Sequence, residues 1–151
     1  MRSRPYCLLL LVLLMAAWTV IPESLMAKEN CRIRVDTILA GRDDAVVDPQ
    51  LSRHIGELQA MFNYTSYRLL STENLNLNMG QSGLVSLPGD RRLKITPHKI
   101  RGGRADISLK MIKQNRTVFE TQIQLLNRGS LFVGGPNFQN GNLIFKISST
   151  Y

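Results

Sequence analysis

The sequence predicts a mainly β protein with one helix, an α+β fold. Seven or eight strands form an antiparallel sandwich or a strongly curved sheet, and an amphipathic helix over residues 48–62 packs on it. Three observations predict this. Apolar and polar residues alternate along most of the chain after residue 28, the two-residue period of half-buried strands. Turn residues recur about every 8 to 12 positions, the spacing of short antiparallel strands. Only one stretch has a helical period: Leu51, Ile55, Leu58 and Phe62 share a face with Met61 beside them, and Gln50, Arg53, Glu57 and Gln59 take the other.

Residues 1–27 read as a secretory signal peptide. Arg2 and Arg4 precede an apolar run over 6–21, and Leu25-Met26-Ala27 follows Pro22, Glu23 and Ser24, so cleavage is expected after Ala27. The run is about 16 residues, short of the roughly 20 that span a bilayer, which argues against a retained anchor. The same segment would hold the chain to the membrane if it were not cleaved. Lys28, Glu29 and Asn30 ahead of Cys31 do not suit a lipoprotein site. The expected mature chain, residues 28–151, is a single β-rich domain long enough for a real core. Cys7 would leave with the signal peptide, so Cys31 has no partner in its own chain, and it reads as a small buried strand residue rather than a link between molecules. An exported chain without disulfides points to a bacterial periplasm. The Asn-x-Thr triplets at Asn63 and Asn115 carry no weight for origin.

Along that domain, residues 32–39 begin as a strand with Ile33 and Val35 on one face and Arg32 and Arg34 on the other. A polar loop over 41–44 leads to the helix, where Asp48 suits the N-cap and Pro49 the first position. Asn63 is expected to end it in a left-handed cap. Residues 64–70 form a strand with Tyr67 and Leu69 on one side, and 74–79 form another with Leu75, Leu77 and Met79 inward. After a turn at 80–83, strands over 84–87 and 91–96 flank the hairpin turn Pro88-Gly89-Asp90. Pro97, which cannot donate to a ladder, is expected to end the second of these. Gly102-Gly103 turns into a strand with Ala105, Ile107, Leu109 and Met111 on one side. Gln114-Asn115 turns back into one with Phe119, Thr121, Ile123 and Leu125 inward. After the turn at 127–129, a short strand over 131–133 is expected to break at Gly134-Gly135-Pro136-Asn137. Residues 142–148 close the fold, with Leu143, Phe145 and Ile147 on one face.

Little in the sequence points to chemistry. His54 and His98 are the only histidines, and neither has metal-ligand spacing to another ligand. Asp43, Asp44 and Asp48 fit no calcium loop. Gly80-Gln81-Ser82-Gly83 lacks the pattern and following helix of a nucleophile elbow. Gly134-Gly135-Pro136 lacks the helix start of a phosphate loop. No cofactor is expected. Were the chain a small hydrolase, His54, Glu57 and Ser82 would be the polar groups to inspect.

Charge says more. The chain carries a net +8, and residues 91–116 alone hold nine Lys/Arg against one acid, Asp106. Arg91, Arg92, Lys94, Lys99, Arg101, Arg104, Lys110 and Lys113 are expected to form a basic outer face on two successive strands. Such a face concentrates anions. It can also be a solvated surface whose charges discourage edge-to-edge pairing. No aromatic residue lies between the cations to stack bases, which argues against nucleic acid.

Residues 62–70, 87–89, 119–121 and 131–136 (Phe62-Asn63-Tyr64-Thr65-Ser66-Tyr67-Arg68-Leu69-Leu70, Leu87-Pro88-Gly89, Phe119-Glu120-Thr121 and Leu131-Phe132-Val133-Gly134-Gly135-Pro136) resemble small exported bacterial proteins of a family with no assigned activity. The resemblance implies a compact exported domain and supplies no site residues.

The expectation for function is an exported, periplasmic, non-catalytic binding or assembly module of the cell envelope. Its partner would be an envelope protein or an anionic lipid or lipopolysaccharide surface, with no transmembrane span after signal cleavage. The alternatives are a carrier enclosing a lipid or apolar ligand and a small hydrolase.

Overall fold

The computed structural model describes residues 29–43 and 45–151. The expected signal peptide, with Cys7, and Asp44 lie outside the described residues. The described residues form β1 (Asn30–Gly41), β2 (Ser66–Asn78), β3 (Gly83–Leu87), β4 (Arg91–Arg101), β5 (Arg104–Lys113), β6 (Arg116–Leu126), β7 (Ser130–Phe138) and β8 (Gly141–Thr150). One antiparallel sheet has the order β2-β1-β8-β7, the other β3-β4-β5-β6. The second sheet is a simple meander. Its hairpin turns at Gly102-Gly103 and Gln114-Asn115 have positive φ at both positions, the twist that matches paired strands. The two sheets bury one core between them, in which Cys31, Ile33, Val35 and Leu77 of the first sheet meet Leu93, Ile95, Ile107, Leu109 and Met111 of the second. The sandwich and its covering helix are as the sequence predicts. No helix among the described residues is long and apolar enough to cross a membrane.

The helical segment is shorter than the apolar spacing suggests. Residues Pro49–His54 form a 3-10 turn, and only Ile55–Met61, here α1, is α-helical. Asp48 caps the segment by accepting from the Gln50 amide at 2.9 Å. Two local choices oppose a longer α-helix: the Ser52 hydroxyl bonds back to the Pro49 carbonyl at 2.8 Å, and Gly56 sits in the interior. Leu51 and Leu58 are buried on the outer side of the first sheet with Ile38, Ala40, Phe132 and Ile144, and Ile55 and Phe62 pack beside them.

Asn63 is not the left-handed cap that the sequence suggests. Phe62 leaves the helix in an extended conformation, at φ −131° and ψ 125°. The Leu58 and Phe62 carbonyls accept from the Phe62 and Tyr64 amides at 2.8 and 2.9 Å, and a strand residue adds a further donor. Tyr67, fully buried, donates its hydroxyl to the Phe62 carbonyl at 2.8 Å, with the Leu58 carbonyl at 3.2 Å. Once those acceptors are satisfied, a left-handed residue is not needed.

Three strands run on where the sequence predicts a break. The two strands expected over 64–70 and 74–79 are one strand, β2 (Ser66–Asn78), with an extra residue, Leu70, between the partners of Thr37 and Ile38. Pro97 does not end β4. It pairs with Ile107, and the next residue, His98, is bulged out. β3 reaches only Ile95, so Pro97 lies where β4 is an edge and a missing N–H costs little. β7 likewise continues through Gly134 and Pro136 to Phe138, with its register slipped between Gly134 and Asn137. Cys31 is fully buried in β1, which pushes its thiol pKa up and keeps it from reacting.

Replacing Tyr67 by Phe keeps the ring in the core and removes a hydroxyl shared by two carbonyls that each keep a backbone donor. That loss should cost about 0.5–1.5 kcal/mol in urea unfolding. An unchanged midpoint would show that the hydroxyl does not hold α1.

Candidate functional site

The second sheet's outer face is set by strand register. β4 pairs with β5 so that Lys94 lies opposite Lys110, Thr96 opposite Ser108, Lys99 opposite Asp106 and Arg101 opposite Arg104. Leu93, Ile95, Ile107 and Leu109 are buried between the sheets, so their neighbours along each strand point away from the core. Arg92, Lys94, Lys99, Arg101, Arg104 and Lys110 therefore share one surface. The His98 bulge matters here, because it keeps Ile100 against the core and Lys99 and Arg101 on the outer face.

Arg91 and Lys113 are not on that face, contrary to the sequence expectation. They pair with each other in the inward set with Leu93 and Met111, at the end of the sandwich where little covers them. The Arg91 guanidinium reaches the Pro88 carbonyl at 3.3 Å and, across the gap between sheets, the Asn137 carbonyl at 3.4 Å. The sequence shows alternation but not where a strand outruns the core.

Like charges directly opposite each other destabilise a sheet. The face holds two such pairs, Lys94 with Lys110 and Arg101 with Arg104. Two acids relieve them in part. Lys110 meets Glu120 of β6 at 3.2 Å, both partly exposed, and Asp106 stands among the cations and accepts from Gln124 at 2.8 Å. A shallow dip of about 160 Å³ lies in the middle of the face, lined by Lys94, Thr96, His98, Ser108, Lys110 and Glu120. His98 and Ser108 are hydrogen-bonded there at 2.6 Å, and Ser82 and Thr96 at 2.8 Å beside it. The dip offers the Lys94 ammonium and several hydroxyl or imidazole donors to a small anion, with Lys110 held by the Glu120 carboxylate that also lines it.

A second polar cluster lies on the opposite side of the molecule, in a cleft of about 340 Å³ beside the helical segment. Asp36, almost fully buried, accepts from Arg34 at 2.9 Å and from Thr72 at 2.7 Å. Lys146 and His54 Nε2 are 2.8 Å apart, and the His54 ring packs edge-on against Phe132. Burial lowers the Lys146 pKa, Arg34 and Arg53 add to that, and Asp36 and Glu57 oppose it. Burial also lowers the His54 pKa from 6.5, reinforced by Lys146 and Arg53 and opposed by Glu57 and Asp36. Sequence reasoning singled out His54 but not this setting. The only signals were charged residues flanked by apolar ones, Asp36 after Val35 and Lys146 between Phe145 and Ile147. Ser82 bonds Thr96 on the other sheet, and Glu57 is exposed on α1, so His54, Glu57 and Ser82 do not converge. Among the described residues no three His, Cys, Asp or Glu are grouped to hold a metal.

No protein-family model, curated protein or solved structure matches the chain.

The fold favours neutral His54, so below pH 6.5 the unfolded chain binds more protons at this residue than the folded chain. Stability from this group is complete above pH 6.5 and falls as the pH drops through the lowered folded value. His54→Gln should therefore flatten the loss of stability between pH 7.5 and pH 5, read as urea midpoints. Equal slopes for the variant and the parent would contradict it.

Proposed function

We propose that the chain is an exported, periplasmic, non-catalytic binding module of the cell envelope. Its basic sheet face would engage a surface of phosphate headgroups, anionic lipid or lipopolysaccharide. The observation that carries this is the β4–β5 register, which sets cation opposite cation across one outer face. A sheet selected for stability alone would place opposite charges there. A polyanionic surface would relieve the repulsion, and the dip beside Lys94 and Lys110 has room for an anionic headgroup. An acidic envelope protein would answer the same charge but would not need that dip.

The two other readings have less support. The inward sets that a carrier would use to line a cavity, such as Ile107, Leu109, Met111 and Leu125, are in one packed core cluster. A hydrolase at His54 would need a carboxylate or hydroxyl on the imidazole, and its hydrogen-bond partner is Lys146.

The test is retention on vesicles containing anionic phospholipid or lipopolysaccharide. Binding should weaken steeply as salt rises from about 0.05 to about 0.5 M, since the screening length falls from about 14 Å to about 4 Å over that range. Arg92→Glu, Lys94→Glu and Lys110→Glu together should abolish it while the circular dichroism spectrum is unchanged. Retention indifferent to both would show that the face is only solvated.

A further inference from the structure

We propose that the open end of the sandwich, between β6 and β7, binds a single acyl chain with an anionic head, a fatty-acid-like amphiphile. A slot of about 430 Å³ lies there. Met111, Val118, Phe119 and Pro136 supply an apolar wall, and Arg91 and Lys113 stand at the lip. The volume is within the range of small-molecule sites, and an apolar slot with a few fixed polar groups is their usual form.

Two bulges border the slot. In β6 the extra residue is Val118, which is 54 % exposed although apolar. In β7 the slip at Gly134–Asn137 carries Gly135 against Phe145, where a Cβ would fall 2.6 Å from the ring edge. Glycine there brings the wall flush with the core, so an entering chain would touch core side chains.

Charge at the lip selects the head. Arg91 pairs across the sheet with Lys113, and Lys113 with Arg116, a row of three cations on three adjacent strands. Among the described residues none of the three makes a salt bridge to a carboxylate, and the slot is lined by no acid. Arg91 is held in place by the Pro88 and Asn137 carbonyls, which leave its charge uncompensated. A carboxylate or phosphate head would satisfy that row while its chain covers Val118 and Phe119. The inference does not rest on the basic outer face, with which the slot shares no proposed contact residue.

Titration calorimetry of the full chain with octanoate and decanoate below their micelle concentrations, and with decanol below its solubility limit, tests it. Decanoate should bind, and about fourfold more tightly per added methylene than octanoate, as expected for buried CH₂ groups. Decanol should bind at least tenfold more weakly than decanoate. Lys113→Gln with Arg91→Gln should erase that preference and leave decanol binding unchanged. Because Arg91 also holds two carbonyls, the exposed Val118→Glu is a second probe, and it should weaken decanoate more than decanol. The triple Glu variant of the outer face should still bind decanoate. Absence of decanoate binding, equal binding of decanol, or loss in the outer-face variant alone would overturn the assignment.

Discussion

Leu70 is one residue more than β1 has partners for, and the sandwich depends on that surplus being absorbed as a bulge. On the near side of it, Tyr67 and Leu69 pair with Ala40 and Ile38 and pack under the helix. On the far side, Leu75 and Leu77 pair with Ile33 and Cys31 and face the second sheet. All four β2 residues have odd numbers, so without a bulge they would share one face. With it, β2 serves both hydrophobic layers. β1 can then be buried on both sides, with Ile33, Val35, Ile38 and Ala40 all fully covered. One cost falls nearby: Thr37, beside the slip, has a buried hydroxyl with no hydrogen-bond partner among the described residues.

The same device recurs at His98, Val118 and the Gly134–Asn137 slip, and each affects the outer surface. At His98 it keeps the cationic face continuous past a proline. At Val118 and in β7 it borders a slot whose apolar wall lies beside cations. A protein that concentrates its charge this way accepts cross-strand repulsion that opposite charges would have removed. Neither the acids at Glu120 and Asp106 nor the hydroxyls beside them cancel it. The polar cluster at Asp36 is different in kind. It is internally paired, and its burial holds His54 and Lys146 towards their neutral forms.

Much of this was legible in the sequence. The alternations at Leu93/Ile95, Ile107/Leu109 and Leu143/Phe145 gave the inward faces correctly, and the hairpin turns were marked by Pro-Gly, Gly-Gly and Gln-Asn. Asp48 was legible as a cap because its role is local. The bulges were not legible, since an extra residue shows only against its partner strand. Pro97 and Gly134-Gly135-Pro136 therefore read as strand ends, and Leu70 as the end of a separate strand. Arg91 and Lys113 were misplaced for a related reason: alternation assigns a side but not whether anything lies opposite. The Tyr67 hydroxyl, five residues from the carbonyl it caps, has no sequence signature that separates it from an ordinary core tyrosine.

Deletion of Leu70 tests the dependence most directly, with Leu70→Ser as its control. Leu70 is 37 % exposed, so the substitution should leave the unfolding free energy within about 0.5 kcal/mol of the parent. The deletion should close β2 into a regular ladder, with Leu69 still opposite Ile38 and Ser71 opposite Thr37, so Tyr67 and Leu77 keep their opposite faces and the cost stays below about 3 kcal/mol. A deletion variant that fails to fold would contradict the account.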